Sequence, residues 1–191
     1  MKTPLNSLGS TVQLGLLLLT IPVVLLAQST WNGLRFGMTQ GDVNKALEGK
    51  AERVPNPNSN DDLDVLLTLP DFKVANLSMR VNFWFGKTSG NLERISLVTV
   101  DPFKATPKND QFLRSRTAIR DVEEMVAGKY GPPATIDGEC NVDRALTTNA
   151  LVHSCNKVYS SGGQRITLTW SGGLGRITLL AVRYEPQPNV L

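Results

Sequence analysis

The chain has little with which to do catalysis. Among its 191 residues there is one histidine, His153, and there are two cysteines, Cys140 and Cys155. A nucleophile and base pair can be imagined in Cys140 with His153, the one histidine, which lies next but one to Cys155 in sequence. A thiol nucleophile must stay reduced and accessible, which the compartment argued below disfavours. No Gly-Lys-Ser/Thr phosphate loop occurs, and Gly173-Leu174-Gly175 lacks the third glycine and the strand-to-helix setting of a dinucleotide site. Glu123 and Glu124 are neighbours on a predicted helix and point apart, so they cannot share a substrate. Glycosidase carboxylates could be distant in sequence, but nothing singles out a pair. No cofactor is expected.

Charge of one sign is also lacking. Lys+Arg number 20 against Asp+Glu 17, a net charge of +3, and the two signs are mixed along the chain. That excludes a nucleic-acid groove and a polybasic membrane patch. Long apolar runs are scarce: only Val12 to Leu26 qualifies, and Thr20 and Pro22 interrupt it. A membrane span needs about 20 apolar residues. With Lys2 before the run and Ala27-Gln28-Ser29 after it, the segment reads as a secretory signal peptide over residues 1–29, cut after Ala27 or Ser29. Attachment to a membrane would require that this segment stay uncleaved. No cysteine follows the run, which excludes lipidation there. The protein is therefore expected outside the cytoplasm, periplasmic or secreted.

Export changes the meaning of the cysteines. In an oxidising compartment an even pair reads as a disulfide, Cys140–Cys155, closing a loop worth roughly 3 kcal/mol in the chain-entropy model. The competing reading, a metal held by Cys140, His153 and Cys155, lacks a fourth ligand. Asn56, Asn58, Asn60, Asp62 and Asp64 alternate as in a calcium loop, but Pro57 intrudes, residue 61 is not glycine and the twelfth position is Leu67. A solvated turn is the expectation, and no metal site is assigned.

What remains is long enough for one domain, residues 30–185, with a flexible tail at 186–191. Thr39 and Asp42 form an acidic capping box for a short helix bearing Val43, Ala46 and Leu47, with Met38 and Val43 placed as a hydrophobic staple. Val65, Leu67 and Leu69 alternate until Pro70. Ala75 to Phe85 alternates strictly, and Leu92 to Val100 returns after a turn at Gly86 to Asn91. A second helix, capped by Asn109 or Asp110, carries the stripe Ile119, Val122, Met125, Val126 and Tyr130 and stops at Gly131-Pro132-Pro133. Its Arg114, Arg116 and Arg120 read as a solvated face with i, i+4 pairs such as Arg120 with Glu124. Three further strands follow, Ala150 to Tyr159, Arg165 to Trp170 and Arg176 to Tyr184, with glycine-rich turns between.

The expected class is α+β, two helices packed on antiparallel sheet. The order, with Asp42-Val43 and Gly49-Lys50 echoed by Asp121-Val122 and Gly128-Lys129, raises a tandem α-β-β-β repeat with halves 31–101 and 108–185. Trp84 falls on the wet face of its strand beside Arg80 and Asn82. These three residues are the candidate partner-binding group, for an envelope protein or a glycan. A helix covering that face is the competing expectation.

Trp31-Asn32-Gly33-Leu34-Arg35-Phe36-Gly37-Met38-Thr39, followed by Asp42-Val43 and Ala46-Leu47, resembles the Gly-Met-Thr helix start of the SmpA/OmlA outer-membrane assembly lipoproteins. It is similar also to the superfamily that includes the secreted beta-lactamase inhibitor protein, with its tandem helix-and-sheet units. The resemblance spans little beyond Trp31 to Gly49, and the chain lacks the lipid-bearing cysteine and exceeds one such module. It implies a scaffolding or inhibitory binding domain of a bacterial envelope and assigns no site residues. Composition and resemblance together point to a non-enzymatic exported binding domain. A secreted hydrolase with unidentified carboxylates and a small-ligand carrier are the alternatives.

Overall fold

Period-two patterning dominates the architecture. The computed structural model describes residues 31–60, 62–147 and 152–187. The signal segment and its cut sites lie outside these residues. The elements run α1 (Gln40–Ala46), β1 (Glu52–Arg53), β2 (Leu63–Val74), β3 (Leu77–Gly86), β4 (Leu92–Val100), α2 (Lys108–Tyr130), β5 (Thr135–Gly138), α3 (Val142–Thr147), β6 (His153–Ser161), β7 (Gln164–Gly173) and β8 (Arg176–Pro186). All eight strands form one antiparallel sheet in the order β1-β2-β3-β4-β8-β7-β6-β5. Two four-stranded meanders thus meet through their last strands, with Ile95 opposite Tyr184 and Val100 opposite Leu179.

This corrects the expectation of two helices on a six-stranded arrangement of α-β-β-β units. Strands take 47% of the described residues and helices 24%, and each half carries four strands. β1 has two residues and β5 four, all exposed, so neither shows the alternation that a buried face imposes. The third helix, α3, is six residues long and follows Cys140 directly enough to read as loop.

On β3, Leu77, Met79, Val81, Phe83 and Phe85 are buried while Ser78 and Arg80 are exposed. The inward set joins its counterparts from the other strands, Val43 of α1 and Leu47 at its C-cap, Ile119, Val122 and Val126 of α2, and Ala145 and Leu146 of α3 in a single core. All three helices therefore contribute to one face of the sheet. Each large side chain buried there stabilises the fold by about 1.5–3 kcal/mol.

The capping box of α1 forms as expected: the Asp42 amide donates to Thr39 Oγ1 at 3.3 Å, and the Thr39 amide donates to Asp42 Oδ2 at 3.3 Å. The Thr39 hydroxyl, which donates to Asp42 Oδ2 at 2.7 Å, and then the Thr39 amide hold the Asp42 carboxyl below its ordinary range. At α2 the cap differs. Pro107 occupies the N-cap with no side-chain bond, and Gln111 Nε2 instead donates to the Thr106 carbonyl at 2.8 Å. Met125 is outside the buried stripe, whose N-terminal half is Gln111, Ser115 and Ala118. Ser115 Oγ accepts the Ile177 amide at 3.0 Å and pins α2 to the start of β8. Arg116 and Arg120 pair with Asp143 of α3, at 2.8 and 3.7 Å, rather than along their own helix. Pro70 does not end its strand; β2 continues through it with a register shift between Leu69 and Phe72. At the C-terminal end Pro186 closes β8, and the Gln187 amide donates to the Gly163 carbonyl, so residues 186 and 187 are tied to the sheet; the rest of the expected tail lies outside the described residues.

Candidate functional site

The face opposite the helices is the site candidate. Cross-strand register arranges it in three rows. The first runs Trp84, Arg94, Glu185, Arg165, Ser160. The second runs Asn82, Ser96, Arg183, Thr167, Val158, and the third Arg80, Val98, Ala181, Thr169, Asn156. Strands β4 to β8 curve these rows around a hollow of about 760 Å³, lined by strand residues alone. The three sequence candidates Trp84, Arg80 and Asn82 do share this face, at alternate positions of β3, and among the described residues no helix covers them.

Trp84 is not the free plate that its exposed position on a strand suggested. It is half-buried, its indole N–H donates to Ser96 Oγ at 2.9 Å, and the Arg94 guanidinium stands 5.5 Å from the ring centre. Asn82 accepts from Thr68 Oγ1 at 3.3 Å, and Arg80 is exposed. Sequence reasoning missed the charged centre. Glu185 Oε1 receives Arg94 Nε at 2.6 Å, and its Oε2 lies 3.3 Å from Arg183 Nε. Arg94 and Glu185 are 91 residues apart and are joined only because β4 pairs with β8. Alternation marks both as outward-facing, but no local signal says that they are neighbours.

Three groups in the hollow lack ordinary satisfaction. Thr167 is 7% exposed, and its Oγ1 is buried without a hydrogen-bond partner; Arg183 Nε is likewise buried without one, because its approach to Glu185 lacks hydrogen-bond alignment. Arg165 is exposed with no ion-pair partner among the described residues. By contrast Thr169 Oγ1 donates to Asn156 Oδ1 at 2.8 Å.

The cysteine expectation is met. Cys140 and Cys155 are joined with Cα atoms 4.9 Å apart, which leaves neither sulfur for a metal or a nucleophile. Among the described residues no group of three or more His, Cys, Asp or Glu is placed to hold a metal ion. Asn60, in the loop of alternating Asn and Asp, accepts the Leu63 amide at 2.8 Å, and Ser59 donates to Asp64 at 2.6 Å; the segment is a self-bonded turn. Comparison with family models, with characterised proteins and with solved structures finds nothing that matches this chain. The functional reading therefore rests on the geometry of the open face.

A disulfide fits an extracytoplasmic location. No helix among the described residues is long and apolar enough to cross a membrane.

Proposed function

We propose that this chain is a non-enzymatic binding domain, exported by its N-terminal signal segment into a bacterial periplasm or beyond, and that it holds a macromolecular partner against the open face of its sheet. The observation that carries this reading is the asymmetry of the sheet: three helices cover one face, while the other, from β3 across to β5, is uncovered among the described residues and mixes aliphatic, hydroxyl and charged side chains. Such a mixture is the ordinary composition of a protein-binding surface. The breadth of the face, with Trp84 at one side, suits a large partner better than a small enclosed ligand. The resemblance of Trp31 to Gly49 to the SmpA/OmlA lipoproteins, and to the superfamily of the beta-lactamase inhibitor protein, favours the same class.

The test is site-specific photo-cross-linking in intact envelopes. Probes at Val98 and Thr169, on the open face, are expected to give a discrete adduct, and a probe at Met125, on the outer side of α2, is expected to give none. Adducts at Met125 alone, or at no position, would overturn the reading.

A further inference from the structure

The open face carries a specific chemistry. Along its three rows four arginines, Arg80, Arg94, Arg165 and Arg183, stand against Glu185 and, on the β5 edge, Asp137. Glu185 is already shared between Arg94 and Arg183. Arg80 and Arg165 have no ion-pair partner among the described residues. The lining of the hollow itself carries Arg165 and Arg183 against Asp137, and with Arg183 shared to Glu185 the unpaired cation there is Arg165.

The two unsatisfied groups sharpen the assignment. Thr167 and Arg183 are direct cross-strand neighbours, and both line the hollow. A guanidinium N–H can only donate, and a threonine hydroxyl can donate as well. Buried polar groups without partners are uncommon in folded proteins, and each calls for an explanation. Two donors side by side, with the unpaired Arg165 guanidinium on the same strand as Thr167, match an acceptor-only group that bears negative charge: a carboxylate. The Arg183 side chain is 43% exposed although its Nε is buried, so a carboxylate on the open side would meet the terminal nitrogens of the guanidinium.

We infer that the hollow binds acidic side chains of a polypeptide partner, with Arg165, Arg183 and Thr167 as the carboxylate-recognising residues. This inference rests on the open-face reading above and supplies the partner's chemistry. Polypeptide is favoured over an acidic glycan by the remaining lining. Val98, Val158, Leu179 and Ala181 offer aliphatic contact, whereas the one tryptophan at the face is half-buried with Arg94 over its ring and offers no free plate for a sugar.

The experiment is an NMR titration of the oxidised protein, reading backbone amides and arginine Nε–H resonances, with three probes. One is an octapeptide of alternating valine and glutamate, the second its valine and lysine counterpart, and the third an oligomer of six glucuronate units. The acidic octapeptide is expected to shift the Arg165 and Arg183 Nε–H signals. Its affinity should fall about 5- to 10-fold in Arg183→Gln and in Arg165→Gln, be unchanged in Arg114→Gln on α2, and weaken with added salt because the sites are open to screening. Arg165→Lys, which keeps the charge but loses the planar fork, should fall between. Equal response to the acidic and basic octapeptides, or unchanged affinity in both glutamine variants, would overturn the inference. So would tighter binding of the glucuronate oligomer than of the acidic octapeptide, which would mark the partner as an anionic polysaccharide. If open-face cross-links persist in the Arg165→Gln, Arg183→Gln double variant, the face is the docking site but its acid recognition is wrong. If the octapeptide binds at the arginines while no open-face cross-link forms, the carboxylate site stands and the macromolecular docking reading falls.

Discussion

The two faces of the sheet are built from the same strands and obey different rules. On the helix side, every second residue of β3 is apolar and buried, and Phe83, Ile95, Leu168 and Val182 are excluded from solvent. Burial there is non-directional, so a side chain needs volume rather than a particular partner. On the other side, the intervening residues hold one another through directed bonds: Trp84 to Ser96, Arg94 to Glu185, Thr169 to Asn156. Polar residues on this face are thus largely ordered against one another. The contrast teaches that stability and recognition have been given to opposite surfaces of one sheet.

The sharpest way to break that comparison is to truncate one residue on each side. Phe83→Ala should cost about 3–5 kcal/mol, from lost burial and the cavity left behind. Thr169→Ala, which removes one partly exposed hydrogen bond, should cost about 1 kcal/mol. Urea unfolding followed by tryptophan fluorescence measures both, and comparable losses would end the division of labour between the faces.

Next in size is the staple behind the core face. Cys155 is buried on β6, and its bond to Cys140 closes a separation of 15 residues. Reduction, or the double change Cys140→Ala with Cys155→Ala, should lower stability by about 3 kcal/mol. Mass analysis of the exported protein under non-reducing conditions should find no free thiol; two free thiols would remove both the staple and the argument from it to compartment.

On the open face the largest expected effect belongs to Glu185. Its side chain and that of Arg94 are about one-fifth exposed, so Glu185→Gln leaves a guanidinium short of its partner in a partly dry place. The cost should be about 1–2 kcal/mol, smaller in 1 M salt. The same change frees Arg94 and Arg183, so the acidic octapeptide should bind more tightly to a less stable protein. Loss of stability together with weaker binding would show that Glu185 orders the arginines rather than occupying them.

What could be read in the sequence divides along the same line. The core face was legible because burial imposes period two over long runs: β3, β4 and the later strands announce themselves through residues such as Val81, Phe83 and Ile95. The capping box at Thr39 was legible because its chemistry is local. β1, β5 and α3 were not, being too short for a periodicity to repeat. The cap of α2 was misplaced because Pro107 starts a helix as well as Asn109 could, by its fixed φ. Half of the candidate site was visible, since Arg80, Asn82 and Trp84 occupy successive outward positions of one strand. The other half, Arg94 with Glu185 and Arg165 with Arg183, depends on β4 lying beside β8 and on β7 beyond it. That adjacency is a property of topology, which the order of elements leaves open.

The smallest effect expected at neutral pH tests how dry the helix-covered face is. Tyr184, opposite Ile95 on the inward side of β8, has its phenol pushed far above the ordinary tyrosine range, first by burial and then by nearby Tyr130, whose ring centre is 6.2 Å away. An unfolded chain gives up that proton near pH ~10. Below this value both states keep the proton, and Tyr184 contributes its full stability. As pH rises above it, the unfolded state is deprotonated while the folded state resists, so stability must fall with increasing pH. Tyr184→Phe should therefore change stability by less than about 1 kcal/mol at neutral pH, the net worth of one hydroxyl interaction, and should flatten the decline above pH ~10. Tyr159, also raised by burial and by Glu123, leaves part of that decline in place. Thermal unfolding measured from neutral pH upward decides the matter: a variant that declines as steeply as the parent would mean that water reaches Tyr184, and that the covered face is wetter than its packing implies.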